Sequence, residues 1–195
     1  MLDKRLPVAA GIGGGSADAA ATLRLLDDLL GLDLGLEVLC RLGLALGADV
    51  PMCLHGATAR VGGIGEDVQH LAPLPEFGLL LVNPGVALAT PAVFKILESR
   101  HNPRLPLLPE RFADCMHLAR WLADTRNDLE PPAIRLVPVV AAVHAALAAE
   151  ADCLFARMSG SGATSFGLFP SRQAAIEAGR RLAVRHPDWW IAADF

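Results

Sequence analysis

A glycine-rich segment near the start of the chain is the part of the sequence best suited to chemistry. Residues 11–15 read Gly-Ile-Gly-Gly-Gly, and Ser16 and Ala17 follow. Glycines adopt backbone angles that side chains forbid, so their N–H groups can approach a ligand closely. The segment opens into a predicted helix, whose first N–H groups have no partner inside the helix and carry partial positive charge. Together these features predict an anion site of a kind suited to phosphate.

Two familiar phosphate motifs are excluded at this segment. A P-loop requires Lys after its last glycine, but Ser16 follows Gly15. The dinucleotide motif requires glycine at the position that Ser16 occupies, counting from Gly11. A tight glycine turn packed on a sheet therefore remains an alternative to a phosphate site. Ser16 itself fits two compatible roles, a helix N-cap or a hydroxyl ligand of phosphate or Mg²⁺.

Two further segments are candidates for chemistry. Asp49 lies in the stretch 46–51, Leu-Gly-Ala-Asp-Val-Pro, and its carboxylate could accept the proton of a hydroxyl nucleophile. It is equally well explained as a turn or cap residue. Residues 159–162 read Ser-Gly-Ser-Gly, which favours either a backbone N–H site for phosphate or a tight hairpin turn.

Composition excludes several classes of protein. Of 195 residues, 53% are hydrophobic and 19% charged, which rules out a disordered tail. The net charge of −4 leaves no basic surface for nucleic acid. We find no apolar leader and no apolar helix long enough for a bilayer, so we expect a cytoplasmic protein without membrane contact. The four cysteines lack zinc-site spacing and are predicted to be buried thiols: Cys40, Cys53, Cys115 and Cys153.

In the first part of the chain, the elements that position these residues are mostly helical. The spacing of leucines predicts a helix over 16–30 with Gly31 as its C-cap, and a second helix over 36–46 that ends at Gly47. Pro51 biases the residue before it away from helix. A strand is predicted over 57–61. A Pro-Leu-Pro linker then separates two predicted domains, residues 1–75 and 76–195.

The second part alternates strands and helices. Strands are predicted over 77–82, 153–158, 164–169 and 189–193. Helices are predicted over 91–99, 110–123, 137–149 and 171–185, the last with Ser171 as N-cap. This order of elements predicts an α+β fold with helices on one face of an antiparallel sheet.

Six segments that occur in a fixed order carry a resemblance to a known family. They are residues 6–20, 46–51, 62–66, 83–85 with 90–94, 127–131 and 158–163. The chain resembles the GHMP kinases, which transfer phosphate from ATP to small alcohols. Within them it resembles the branch that phosphorylates the 2-hydroxyl of a cytidine diphosphate-linked methylerythritol in non-mevalonate isoprenoid biosynthesis. The resemblance implies a two-layer α+β architecture, with part of an N-terminal ATP-binding domain and a ferredoxin-like C-terminal substrate domain.

The resemblance also implies roles for particular residues, with ATP and Mg²⁺ as cofactors. Asp49 would be the base or orienting group at the substrate hydroxyl, and Phe94 would stack on cytosine, with ordinary burial in the core as its alternative. The residues implied to cradle the ATP phosphates are Pro7, Val8, Ala9, Ala10, Gly11, Ile12, Gly13, Gly14, Gly15, Ser16 and Ala17. The residues implied to contact substrate are Thr90, Phe94, Gly160, Ser161 and Gly162.

One departure from the family pattern leads to alternatives. Family members begin with a further segment that holds a catalytic lysine in a Lys-x-Asn-Leu-x-Leu strand and a Gly-Tyr-His turn. This chain contains neither, so we expect an N-terminally truncated kinase. Its exposed sheet edge would then favour association of copies of the chain. An inactive phosphate-binding remnant and a GHMP kinase for another small alcohol are the alternative functions.

Overall fold

The computed structural model describes residues 6–193. They form two compact units, which are described separately. The helical unit comprises residues 13–74, and the sheet unit comprises residues 6–12 together with 75–193. The predicted division into family domains at residue 75 stays a prediction.

The helical unit contains three helices and a two-stranded antiparallel hairpin. Its buried core is small and consists of Ala20, Leu39, Val50 and Leu54. Gly31 ends the first helix in the left-handed conformation, as predicted. The elements are α1 (Gly14–Leu30), α2 (Gly35–Leu46), α3 (Val50–His55), β1 (Ala59–Gly62) and β2 (Asp67–His70).

Two elements of the helical unit, α3 and β2, were not predicted. The inference from Pro51 was wrong, because this proline lies in the first turn of α3. The N–H that proline lacks has no helical partner at that position, so the helix forms around it at no loss. The strand β2 is mostly exposed and has no apolar alternation to reveal it.

The sheet unit is a four-stranded sheet covered by helices. Its strands pair antiparallel throughout, in the order β4-β5-β3-β6. This is the strand order of a ferredoxin-like fold, which confirms the predicted α+β class. The elements are β3 (Gly78–Asn83), α4 (Thr90–Lys95), α5 (Cys115–Ala123), α6 (Glu130–Leu136), α7 (Val139–Ala148), β4 (Phe155–Met158), β5 (Ser165–Phe169), α8 (Arg172–Arg185) and β6 (Trp190–Ala193).

Helices α7 and α8 pack on one face of this sheet, as predicted. Leu80 and Val82 alternate along the central strand β3 and therefore point to the same face. They share a fully buried core with Val143 of α7 and Leu182 of α8. The approach of α8 is close, since a Cβ at Gly179 would lie 3.0 Å from the Leu80 side chain.

Several helix boundaries in the sheet unit differ from the predictions. Helix α6 was not predicted, because two prolines follow its first residue and proline usually ends a helix. The first turn of a helix nevertheless tolerates proline. Helix α4 ends at Lys95, earlier than predicted. Helix α5 begins only at Cys115, because the Asp114 carboxylate accepts a hydrogen bond from His117 N at 2.7 Å and caps it there. The predicted N-cap of α8 is confirmed: the Ser171 hydroxyl accepts from Ala174 N.

The four cysteines are free thiols, as predicted. Each is only partly buried, so the prediction of full burial was wrong. Burial raises the pKa of Cys40, Cys53 and Cys153. Between residues 6 and 193, no helix has the length and apolar character needed to cross a membrane.

A buried carboxylate joins the end of α7 to α8. The Glu150 side chain is 2% exposed and accepts a hydrogen bond from Arg181 Nε at 2.8 Å and another from Arg185. The two guanidinium groups are about half exposed, so only the carboxylate is desolvated by the contact.

We expect Glu150→Gln to lower the free energy of unfolding by about 1–3 kcal/mol, because the substitution removes two charge-assisted hydrogen bonds from a buried site. Urea denaturation measures the change. Glu177→Gln is the matched control on exposed α8 surface and should stay within about 0.5 kcal/mol of the parent chain. Equal effects of the two substitutions would contradict a stabilising role for the Glu150 pairs.

Candidate active site

The glycine-rich loop before α1 has an unusual backbone. Ala9, Gly11 and Gly13 all have left-handed φ angles, of 52°, 71° and 70°. For an alanine this conformation costs roughly 1–2 kcal/mol. The surrounding structure must therefore impose the shape of the loop.

Helix α1 begins two residues earlier than predicted and leaves its N-terminus open. Its N-cap is Gly13, whose carbonyl closes the first turn by accepting from Ala17 N at 2.9 Å. Ser16 lies inside that turn, so its predicted role as N-cap was wrong. Among the described residues, no side chain caps this end, and the first turn holds no acidic residue. The N–H groups of Gly14 and Gly15 are thus available to an anion.

In the sheet unit, Gly11 packs against the turn formed by residues 159–162. The Ser159 hydroxyl donates to the Gly11 carbonyl at 2.8 Å. A Cβ on Gly11 would lie 2.4 Å from the Ser159 carbonyl oxygen, whereas a Cβ on Gly13 or Gly15 would have no atom within 4 Å. The packed-turn interpretation of the loop therefore applies at Gly11, and the later glycines face open space.

The 159–162 turn connects β4 to β5 as a hairpin, which was one of its two interpretations. Ser159 N donates to Thr164 O at 2.8 Å, and Met158 pairs with Ser165. The turn also contacts the start of α4, because the hydroxyls of Thr90 and Ser161 lie 2.7 Å apart. A hairpin role does not prevent the outer N–H groups of the turn from meeting a ligand.

A cavity of about 610 Å³ lies beside this turn. Phe94 lines it and is 44% exposed, so the alternative of ordinary core burial was wrong for this ring. Two arginines, Arg100 and Arg126, give the cavity cationic walls, although Arg126 also pairs with Asp128 at 2.8 Å. The full lining consists of Phe94, Leu97, Ser99, Arg100, Asn102, Arg126, Asn127, Asp128, Leu129 and Gly160.

Asn127 is a residue whose contacts sequence reasoning missed. Its side-chain amide donates to Met158 O at 3.0 Å and to Gly160 O at 2.8 Å, and its Oδ1 accepts from Leu129 N at 3.0 Å. The last contact is local, because the Asn127 side chain accepts from the backbone two residues further on. The first two span 31 and 33 residues, and no pattern along the chain reveals them.

Asp49 lies in the helical unit, at the start of α3. It lies in the turn before α3 and at the N-cap position, as its alternative expected, but its exposed side chain makes no capping hydrogen bond. The neighbouring residue Val50 shares a buried core with Ala20 of α1. Ala20 is less than two helical turns beyond Gly14, the first residue of α1, so the segment bearing Asp49 packs beside the N-terminal half of this helix.

The β1-β2 hairpin supports the segment that bears Asp49. A Cβ at Gly65, which has φ +117°, would lie 2.0 Å from the Ala48 carbonyl oxygen. The Glu66 carboxylate accepts from Ile64 N at 2.6 Å and so closes the turn of the hairpin. Within residues 6–193, no group of three or more His, Cys, Asp or Glu side chains is placed to hold a metal ion.

Comparison with known proteins identifies the family. Residues 1–57 match the profile described as the N-terminal domain of GHMP kinases, and residues 105–186 match the C-terminal profile of the same family. A Cereibacter sphaeroides protein named 4-diphosphocytidyl-2-C-methyl-D-erythritol kinase is 53% identical over 98% of this chain and 68% of its own length. The chain belongs to the GHMP kinase family.

Other comparisons agree with this family membership. A Dinoroseobacter shibae protein of the same name is 52% identical over 98% of this GHMP kinase chain and 65% of its own length. The crystal structure of a 4-(cytidine 5′-diphospho)-2C-methyl-D-erythritol kinase matches with a TM-score of 0.76 and 33% identity, over 98% of this chain and 68% of that one. A homoserine kinase from Cytophaga hutchinsonii, 22% identical with a TM-score of 0.72, shares the fold. The chain spans about two thirds of the length of these relatives.

An ion pair joins the start of α6 to α7. His144 Nδ1 on α7 lies 2.8 Å from Glu130 Oε1 at the start of α6. The hydrogen bond to Glu130 raises the pKa of His144 above its ordinary 6.5, while partial burial and the charge of Arg157 on β4 oppose the rise. The backbone of Ala156 adds a hydrogen bond that favours the protonated ring.

We expect the stabilisation from His144 to depend on pH. Because its folded-state pKa is raised, its contribution is fully present below the unfolded pKa of about 6.5 and is lost as pH rises through the folded pKa. Urea denaturation of the parent chain and of His144→Gln over a series of pH values measures the gap between their free energies of unfolding. That gap should narrow with rising pH, because the imidazole loses the charge that pairs with Glu130. A gap independent of pH would contradict the ion pair.

We expect Gly11→Ala to lower the free energy of unfolding by about 2–4 kcal/mol, since it combines a left-handed φ with a backbone clash. Gly15→Ala is the matched control, because its Cβ meets open space inside a helix, and it should be neutral or stabilising by up to about 1 kcal/mol. Thermal or urea unfolding of both variants tests the difference. Tolerance of alanine at residue 11 would refute the close packing of the loop against Ser159.

Proposed function

We propose that this chain belongs to an ATP-dependent kinase that phosphorylates the 2-hydroxyl of 4-diphosphocytidyl-2-C-methyl-D-erythritol. The observation that carries the proposal is the cavity that combines an exposed aromatic ring, Phe94, with two arginines beside the 159–162 turn. A pyrimidine base with a diphosphate fits such a surface. The names of relatives about 50% identical to the chain support the same substrate.

The open N-terminus of α1 supports ATP binding by the segment 7–17. Backbone N–H groups there point away from the helix body, and no acidic side chain in the first turn repels phosphate. Gly13 and Gly15 have space around their α-carbons, which lets a phosphate approach the backbone. Phosphoryl transfer depends mainly on such positioning and charge neutralisation.

Asp49 would accept or orient the proton of the substrate hydroxyl. Its carboxylate is exposed and is not engaged in capping α3, so it is available for this role. The packing of Val50 against Ala20 favours a position near the phosphate-binding end of α1.

Mg²⁺ would neutralise phosphate charge when ATP is bound. Magnesium is usually held by one or two protein oxygens together with phosphates and water, and it does not need a cluster of carboxylates. The Ser16 hydroxyl, in the first turn of α1, is an oxygen donor that fits this pattern. The residues present are therefore compatible with a metal carried largely by the nucleotide.

On the substrate side, Phe94 would stack on cytosine and the arginines of the cavity would face the diphosphate. The N–H groups of Gly160 and Ser161 would complete the anion contacts, with Thr90 fixing the turn through Ser161. The predicted contact from Gly162 would not use its N–H, which already donates to Ser159 O at 2.9 Å.

Three finer points stay predictions: a cytoplasmic location, association of copies of the chain, and activity of the chain on its own. Exposed leucines in the helical unit favour association, because contiguous apolar surface is prone to burial against a second molecule. The most exposed of them are Leu25, Leu29, Leu30 and Leu46.

We expect Phe94→Leu to weaken binding of cytidine 5′-diphosphate by roughly tenfold, while Phe94→Trp keeps it, because base stacking on an aromatic face contributes about 1–3 kcal/mol. Isothermal titration of the 195-residue chain measures the affinity. The matched control is Phe112→Leu, an aromatic ring that packs on Trp121 outside the cavity. It should bind like the parent chain.

Two outcomes would count against the proposal. The first is equal cytidine diphosphate affinity in Phe94→Leu and the parent chain. The second is transfer of phosphate from ATP to homoserine or mevalonate, but not to 4-diphosphocytidyl-2-C-methyl-D-erythritol, which would support a kinase for another alcohol.

A further inference from the structure

The side-chain amide of Asn127 has every one of its hydrogen-bonding groups engaged. An asparagine carries two N–H donors and one carbonyl acceptor. The two donors meet the carbonyls of Met158 and Gly160, which flank Ser159, and the acceptor meets Leu129 N. One side chain therefore holds two peptide groups of the same turn.

Holding a carbonyl also fixes the N–H of the next residue. In a trans peptide the C=O of one residue and the N–H of the following residue lie in one plane and point in opposite directions. The contact from Asn127 to Gly160 O thus sets the direction of Ser161 N–H. Thr90 holds the Ser161 side chain from α4, so both parts of this residue are restrained.

The loop that carries Asn127 is itself anchored on both sides. On one side, Arg157 of β4 donates to the carbonyls of Leu122 and Thr125, at 3.0 and 2.8 Å, and to the Thr125 hydroxyl. On the other side, Glu130 pairs with His144. Asn127 lies between these anchors, so its amide is placed before any ligand arrives.

We propose that Asn127 is a positioning residue for the substrate: it orients the peptide plane that presents Ser161 N–H to the diphosphate, and it does not contact the base. The inference rests on the proposed function. It assigns recognition of the diphosphate to the Asn127-held turn and recognition of the base to Phe94. The two contributions should then separate in binding experiments.

The test compares cytidine 5′-diphosphate with cytidine as probes for the 195-residue chain. In Asn127→Ala, the affinity for cytidine diphosphate should fall roughly tenfold, since small misplacement of a binding group weakens its contact strongly, while cytidine affinity is unchanged. Phe94→Leu should weaken both ligands. Asn127→Asp places a carboxylate oxygen against two carbonyl oxygens. It should reduce the ratio of cytidine diphosphate affinity to cytidine affinity at least as much as Asn127→Ala does.

Two controls separate positioning from other effects. Asn102→Asp adds the same charge to the same cavity without touching the turn and should reduce the ratio less than Asn127→Asp. Glu150→Gln lowers stability away from the cavity and should leave the ratio unchanged, so general destabilisation is accounted for.

The failures are distinguishable. If the parent chain prefers cytidine diphosphate and Asn127→Ala keeps that preference, the role of Asn127 is overturned while the proposed function stands. If the parent chain binds neither ligand, the proposed function itself fails. A loss of both ligands in Asn127→Ala, with the stability of the parent chain retained, would also overturn the separation of base and diphosphate recognition.

Discussion

The Gly11 carbonyl accepts a hydrogen bond from the Ser159 hydroxyl, and Ala10 O accepts another from Thr164 N. These two bonds join the beginning of the described chain to the hairpin between β4 and β5. They require the bare α-carbon of Gly11, since any side chain there would overlap backbone atoms. The front of the glycine-rich loop and the 159–162 turn are held together by this approach.

The glycines of the loop serve two different physical needs. Gly11 is required by neighbouring protein backbone, whereas Gly13 and Gly15 have open space around them. A run of glycines that appears uniform in the sequence is therefore divided between packing and ligand access. The packed-turn interpretation therefore holds at Gly11, whereas the phosphate-site interpretation of the later glycines stays a prediction.

Local chemistry made much of the fold predictable. Apolar periodicity indicated the long helices. Gly31 ends α1 and Ser171 caps the start of α8, both as expected. The errors have local physical causes: Pro51 fits the first turn of α3, and Gly13 replaces Ser16 as the N-cap. The candidate site was harder to predict. Its residue types were visible, but the contacts of Asn127 depend on strand pairing that brings distant segments together.

The bond between Ser159 and Gly11 closes a loop of 148 residues. During synthesis the Gly11 segment is therefore made 148 residues before the Ser159 turn that shapes its front half. Closing so long a loop carries a large entropic penalty, and such contacts form late in folding. That part of the loop therefore takes its final form only after the 159–162 turn is present, and any earlier nucleotide encounter meets a backbone that is not yet organised.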